Sequence, residues 1–165
     1  MATTAGVALG SLTYHFPSQT QLLRESLLAH VSEEVKRLEG IAAELRSSAT
    51  NAEHVAIEVD KLARRAVTSY QPIAELELHL HAARDPELQD ASRRCLDAYE
   101  DFAAAALEGF GVAEPKRHAR AVVALITGMT VRRLGTGQLD APGTADALLT
   151  LLKGTAARTP LDGGG

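Results

Sequence analysis

The sequence has 165 residues, 45% of them apolar, which suits one domain with a sizeable core. Aromatic residues make up only 4%, tryptophan is absent and Ala and Leu abound, so helices are favoured over sheets. A formal net charge of -4 argues against broad nonspecific nucleic-acid binding, the lone Cys95 excludes an intrachain disulfide, and no run of about eighteen apolar residues or signal peptide directs the chain to a membrane.

The first element reads from "AGVALGSLTYHFPSQTQLL". Ala5-Gly6-Val7 has the small-Gly-apolar character of a tight turn between packed helices. A short helix over about 8–16 follows, with Val7, Leu12 and Phe16 as anchors and Leu9, Ser11, Thr13, Tyr14 and His15 as outward groups. Pro17 ends it, and Ser18 with Gln21 makes a capping box that opens the next helix.

Turn, short helix, "HFPS" and long helix together resemble the end of the DNA-binding domain in the TetR family of bacterial transcriptional regulators. The resemblance implies that Leu9, Gly10, Ser11, Thr13, Tyr14 and His15 lie on the recognition helix that enters the major groove. Thr13 stands where the family usually has Tyr, and Gln19 stands where a phosphate-binding Lys is usual, which would weaken the salt-dependent part of affinity. Met1 to Thr4 alone precede the turn, so the helix-turn-helix over 1–17 is expected to be partial and DNA binding by residues 1–165 impaired.

Downstream, Leu23, Leu27, Val31, Val35, Leu38, Ala42 and Leu45 recur at helical spacing and predict one long amphipathic helix from Ser18 to about Arg46. Glu33 and Arg37 are expected to pair on its wet face. Thr50 and Glu53 form a second capping box, before a stripe of Val55, Val59, Leu62, Ala66 and Tyr70. "IAELELHLHAA" alternates like a strand, yet Ile73, Leu76, Leu80 and Ala83 also fit a helix, and a solitary strand would have no partner. Helix is the reading, with Leu78 and Ala82 giving it a second buried face. Asp85-Pro86 is a strong helix start, and Leu88, Ala91, Cys95, Tyr99, Phe102, Ala106 and Phe110 line one face as far as Gly109-Phe110-Gly111. Pro115 opens a helix to about Leu134, Thr144 caps a last one, and 159–165 are expected to be a disordered tail.

These helices over 18–158 resemble the ligand-binding and dimerisation half of the same family. Independently, "ARAVVALITGMTVRRL" is apolar nearly all round, and a helix with two buried faces in so small a protein points to a partner chain. Val122, Leu125, Gly128, Met129, Leu148, Leu149 and Leu152 are the expected homodimer interface, a four-helix arrangement with Gly128 allowing close approach.

No P-loop, G-x-G-x-x-G, nucleophile elbow or H-E-x-x-H occurs, so no enzyme is expected. His79 and His81 are two apart, about 200° around a helix, which is the wrong spacing for a shared metal. Neither metal nor cofactor is expected. Tyr70, His79 and Tyr99 are the polar candidates for orienting a ligand, with Leu76, Phe102 and Met129 as apolar walls, and the expected effector is small and apolar or aromatic. The fold expected is an all-α, TetR-like bundle. The function implied by the resemblance is a cytoplasmic, ligand-responsive repressor acting on a duplex DNA operator. The alternative is a dimerisation or small-molecule-binding module without DNA binding.

Overall fold

The computed structural model describes residues 19–47, 52–68, 71–138, 143, 146–148 and 150. They form α1 (Gln19–Ser47), α2 (Ala52–Thr68), α3 (Gln71–Ala82), α4 (Pro86–Gly109) and α5 (Pro115–Thr136), with further helical residues at 143, 146–148 and 150. No strand occurs among the described residues, and the alternating stretch after Tyr70 is the helix α3.

α4 is the axis of the bundle. Asp85 caps it, its Oδ1 accepting from the backbone N of Glu87 at 3.0 Å and of Leu88 at 3.4 Å, while Pro86 fills the first helical position. At the other end Gly111 takes a left-handed φ of 71°, and the N–H groups of Phe110, Gly111 and Val112 turn back onto the carbonyls of Ala106, Glu108 and Leu107. Ala103 to Leu107 are all buried, which shows a helix covered around its circumference rather than along one stripe.

α1 lies alongside α4 with its residue numbers rising in the same direction. Leu27 and Val31 pack with Leu88, Ala91 and Cys95, and Leu38, Ala42 and Leu45 pack with Ala98, Phe102 and Ala105. Arg24 straps one end, its Nε 3.0 Å from Asp85 Oδ2 and a second nitrogen on Glu87. Arg46 straps the other through Asp101 Oδ1 at 2.7 Å and Glu108 Oε2 at 3.4 Å. Leu23, in the same stripe by spacing, sits at the level of the α4 N-terminus and is exposed.

α2 and α3 return along α4, so that Val55 meets Gly109 and Leu78 joins the cluster of Leu88, Ala91 and Cys95. α5 packs antiparallel to the second half of α4, with Ala119 against Ala103 and Ala104 and with Val122 and Val123 at the edge of that cluster.

Two local expectations are corrected. Arg37 does not pair with Glu33; its guanidinium holds Glu34, one position on, because Glu34 is only 2% exposed and needs a charge partner there. α3 does not bury two faces. Leu78 and Ala82 are buried, whereas Ile73, Leu80 and Ala83 lie on the opposite, exposed side, Leu80 at 62%.

Candidate ligand cavity

Between α2, α3, α4 and α5 lies a cavity of about 410 Å³, within the range of small-molecule sites. Its walls are mostly apolar: Val59 and Leu62 from α2, Pro72 and Leu76 from α3, Phe102, Ala103 and Leu107 from α4, and Val122, Val123 and Ile126 from α5. Leu148 also lines it. Polar side chains enter from Gln71, Glu75 and His79 on α3, Tyr99 on α4, and Thr127 and Thr130 on α5.

Gln71, Glu75 and His79 succeed one another at four-residue steps, so they form one row along α3. That row meets Tyr99, whose hydroxyl oxygen lies 2.5 Å from Glu75 Oε1 and 2.9 Å from Glu34 Oε1 and accepts from Gln71 Nε2 at 2.9 Å. Gln71 Nε2 also donates to Glu75 Oε1 at 3.0 Å, and Gln71 Oε1 accepts from Arg65 Nε at 2.6 Å. Behind Tyr99, Arg37 donates to both oxygens of Glu34, and an Arg65 nitrogen stands 4.0 Å from Glu34 Oε2. One cavity wall is thereby tied to α1, which itself does not line the cavity.

Burial pushes the Tyr99 phenol far above its ordinary value, and the adjoining Glu75 and Glu34 push it further, so it remains a donor. Burial raises the Glu34 carboxyl, but the hydrogen bonds and charge of Arg37, with those of Tyr99 and Gln71, outweigh it and the net shift is down. His79 is lowered by burial, opposed in part by Glu75, and its Nδ1 is 2.7 Å from Ser92 Oγ. It is therefore a neutral imidazole at neutral pH. Cys95 lies in the core, where burial raises its thiol to about 12 and keeps it from acting as a nucleophile.

Of the residues singled out from the sequence, the cavity brings together Leu76, His79, Tyr99 and Phe102. It does not include Met129, which lies towards the other side of α5 from Val123, Thr127 and Thr130 at about 100° per residue. Val122 and Leu148, expected at a dimer interface, line the cavity. Leu125, Gly128 and Met129 fall on the outer side of α5. Gln19 is exposed in the first turn of α1. Tyr70, Leu149 and Leu152 lie outside the described residues, as do Leu9, Gly10, Ser11, Thr13, Tyr14 and His15. Ser18, Thr50, Thr144 and the segment 159–165 lie outside them too.

Sequence reasoning missed Gln71, Glu75 and Glu34. A signal was present. Glu34 occupies a core position between Val31 and Leu38, and Gln71, Glu75 and His79 make a polar row on an otherwise apolar segment. Among the described residues no group of three His, Cys, Asp or Glu side chains could hold a metal, and no helix is long and apolar enough to cross a membrane.

A family model described as "Tetracyclin repressor-like, C-terminal domain" matches residues 46–158. The chain belongs to the TetR family. The matched segment holds every residue that lines the cavity, so the site lies wholly within the C-terminal domain typical of TetR regulators. That domain is regulatory rather than enzymatic as a family, and it is associated with effector binding and dimerisation. No curated protein gives a significant sequence match.

Proposed function

We propose that this TetR-family chain is a ligand-responsive repressor that works as a cytoplasmic homodimer on duplex DNA. A small, largely apolar effector occupies the cavity between α2, α3, α4 and α5. The observation that carries the reading is the cavity itself, with its apolar walls and one polar pole at Glu75 and Tyr99, inside the family-matched domain. An effector acts only through different affinity for two arrangements of the protein. The Tyr99 to Glu34 contact offers the physical link, because a ligand that displaces Tyr99 or Glu75 also loosens the hold on α1, the helix that follows the recognition segment 8–16. Operator contacts are assigned to Leu9, Gly10, Ser11, Thr13, Tyr14, His15 and Gln19 by the family resemblance alone.

The test uses the neutral fluorescent probe N-phenyl-1-naphthylamine. It should bind the wild-type chain with saturable enhancement, and Thr127→Phe, which projects a ring into the cavity from an exposed position on α5, should reduce its affinity at least tenfold. Binding that is absent, or unaltered by Thr127→Phe, would overturn the cavity assignment.

A further inference from the structure

The polar groups at the cavity are unevenly charged. Among the described residues Glu75 is the one of its lining with a carboxylate, and no Lys or Arg lines it. His79 adds no positive charge, since its half-buried ring is neutral and its Nδ1 is turned to Ser92. Glu75 Oε1 accepts from Tyr99 and from Gln71, whereas Oε2 accepts no hydrogen bond from any described residue, and Glu75 forms no ion pair among them.

The neighbouring cations are committed elsewhere. Arg37 holds both oxygens of Glu34, and Arg65 reaches the cluster through Gln71 and the far side of Glu34. Tyr99 has one proton to donate and two carboxylate oxygens within reach, so it cannot satisfy Glu34 and Glu75 together. Arg37 sits directly on Glu34 and reaches Glu75 only at longer range, through charge alone, so Glu75 Oε2 is the carboxylate oxygen with no donor of its own among the described residues. In a recess with apolar walls its charge is poorly screened.

We infer that the cavity selects a ligand with an apolar body and a cationic head, an organic ammonium, with the head on Glu75 and the body against Leu76, Phe102 and Val123. The inference rests on the reading that the cavity binds an effector and specifies its charge. An ammonium supplies the hydrogen bonds and the charge that Glu75 Oε2 lacks. Tyr99 and Phe102 line the same space, and aromatic rings attract cations. A carboxylate ligand would meet Glu75 with like charge and find no cation among the described residues of the wall. A neutral alcohol would bind through its apolar body and leave the carboxylate uncompensated.

Decylammonium, 1-decanol and decanoate present nearly the same body with three heads, and displacement of N-phenyl-1-naphthylamine from the full chain at pH 7 compares them below their aggregation concentrations. Decylammonium should bind at least tenfold more tightly than decanol, and decanoate most weakly. Glu75→Gln keeps the side-chain size and should cut decylammonium affinity at least tenfold while changing decanol less than threefold. Thr127→Lys, at an exposed position that tolerates substitution whatever Glu75→Gln does to the fold, should move the preference towards decanoate. Equal affinities, a preference of the wild type for decanoate, or an ammonium preference that survives Glu75→Gln in a folded protein would overturn the charge assignment. If decanol displaces the probe but the heads are not discriminated, the apolar cavity stands and only its charge selectivity falls. If none of the three displaces the probe, and the probe itself does not bind, both readings fall.

Discussion

Tyr99 shows how one atom can serve the fold and the site together. Its hydroxyl separates two carboxylates and links α1, α3 and α4, so Tyr99→Phe removes a buried donor and leaves Glu34 and Glu75 facing each other. The expected loss of stability is about 1–3 kcal/mol, the usual consequence of unsatisfying buried polar partners. Urea denaturation should show it as a lower midpoint with an unchanged slope. In the double variant Tyr99→Phe with Glu75→Gln the loss should be smaller than the sum of the two single losses, because the second change removes the repulsion the first exposes. Tyr99 was legible in the sequence as a polar group on an apolar stripe, and His79 and Leu76 were legible by position on α3. Glu34 and Glu75 were not, because a carboxylate in an amphipathic pattern reads as a solvated face until its cation is known. One partner of Glu34, Arg37, is three residues away, but Tyr99 and Arg65 lie on helices that only tertiary packing brings near.

At the scale of elements, the pairing of α1 with α4 depends on charge at its two ends and on close apolar contact at the join with α2. The hydrogen bond from Arg24 holds the Asp85 carboxyl below its usual range, and that from Arg46 does the same for Asp101, burial opposing both. A carboxyl depressed by folding contributes stability that is present above its unfolded value, about 3.9 for Asp, and that is lost as the pH falls through the folded value. Thermal melting should therefore fall steeply below about pH 4, and Arg24→Ala with Arg46→Ala should flatten that acid limb while lowering stability at neutral pH. Gly109 tests the apolar join. A Cβ there would overlap Val55 Cγ2, in a core position that is fully buried, so Gly109→Ala should destabilise by about 1–3 kcal/mol despite the better helix propensity of alanine. Equilibrium denaturation checks it, and Val55→Ala in the same chain should relieve part of the overlap. Helix identities and the Asp85 cap were readable from spacing and local chemistry. Which face each helix buries was less so: in α3, Leu76 and Leu80 share a helical stripe in sequence, but Leu76 lines the cavity while Leu80, one turn on, lies beyond the lining and is exposed.

For the whole molecule, the question is what α5 meets on its outer side. Its inner residues Val122, Val123, Ile126, Thr130 and Val131 line the cavity, Ile126 and Val131 while still 43% and 44% exposed, and Leu125, Gly128 and Met129 lie around the helix from them. The proposed homodimer places that outer side against the same helix of a second copy, an arrangement in which the one surface serves both partners. Gly128 separates this reading from a monomer with an untidy surface. A Cβ at Gly128 meets nothing within 4 Å in the single chain, so in a monomer Gly128→Ala has no steric penalty and should stabilise α5 by about 1 kcal/mol through helix propensity. In a dimer whose helices approach at Gly128 the same methyl group pushes them apart and should weaken association. Light scattering at micromolar concentration should give a dimer for the wild type and a concentration-dependent mixture for Gly128→Ala. Met129→Glu should give monomers, because a carboxylate buried without a partner at the contact is far more unfavourable than one in water. The melting temperature should fall on dilution for the wild type and not for Met129→Glu, as mass action requires of a stability shared between subunits. A wild-type chain that is monomeric, or a Gly128→Ala chain that is stabilised and associates unchanged, would remove α5 from the interface and leave its outer side as solvent-facing surface.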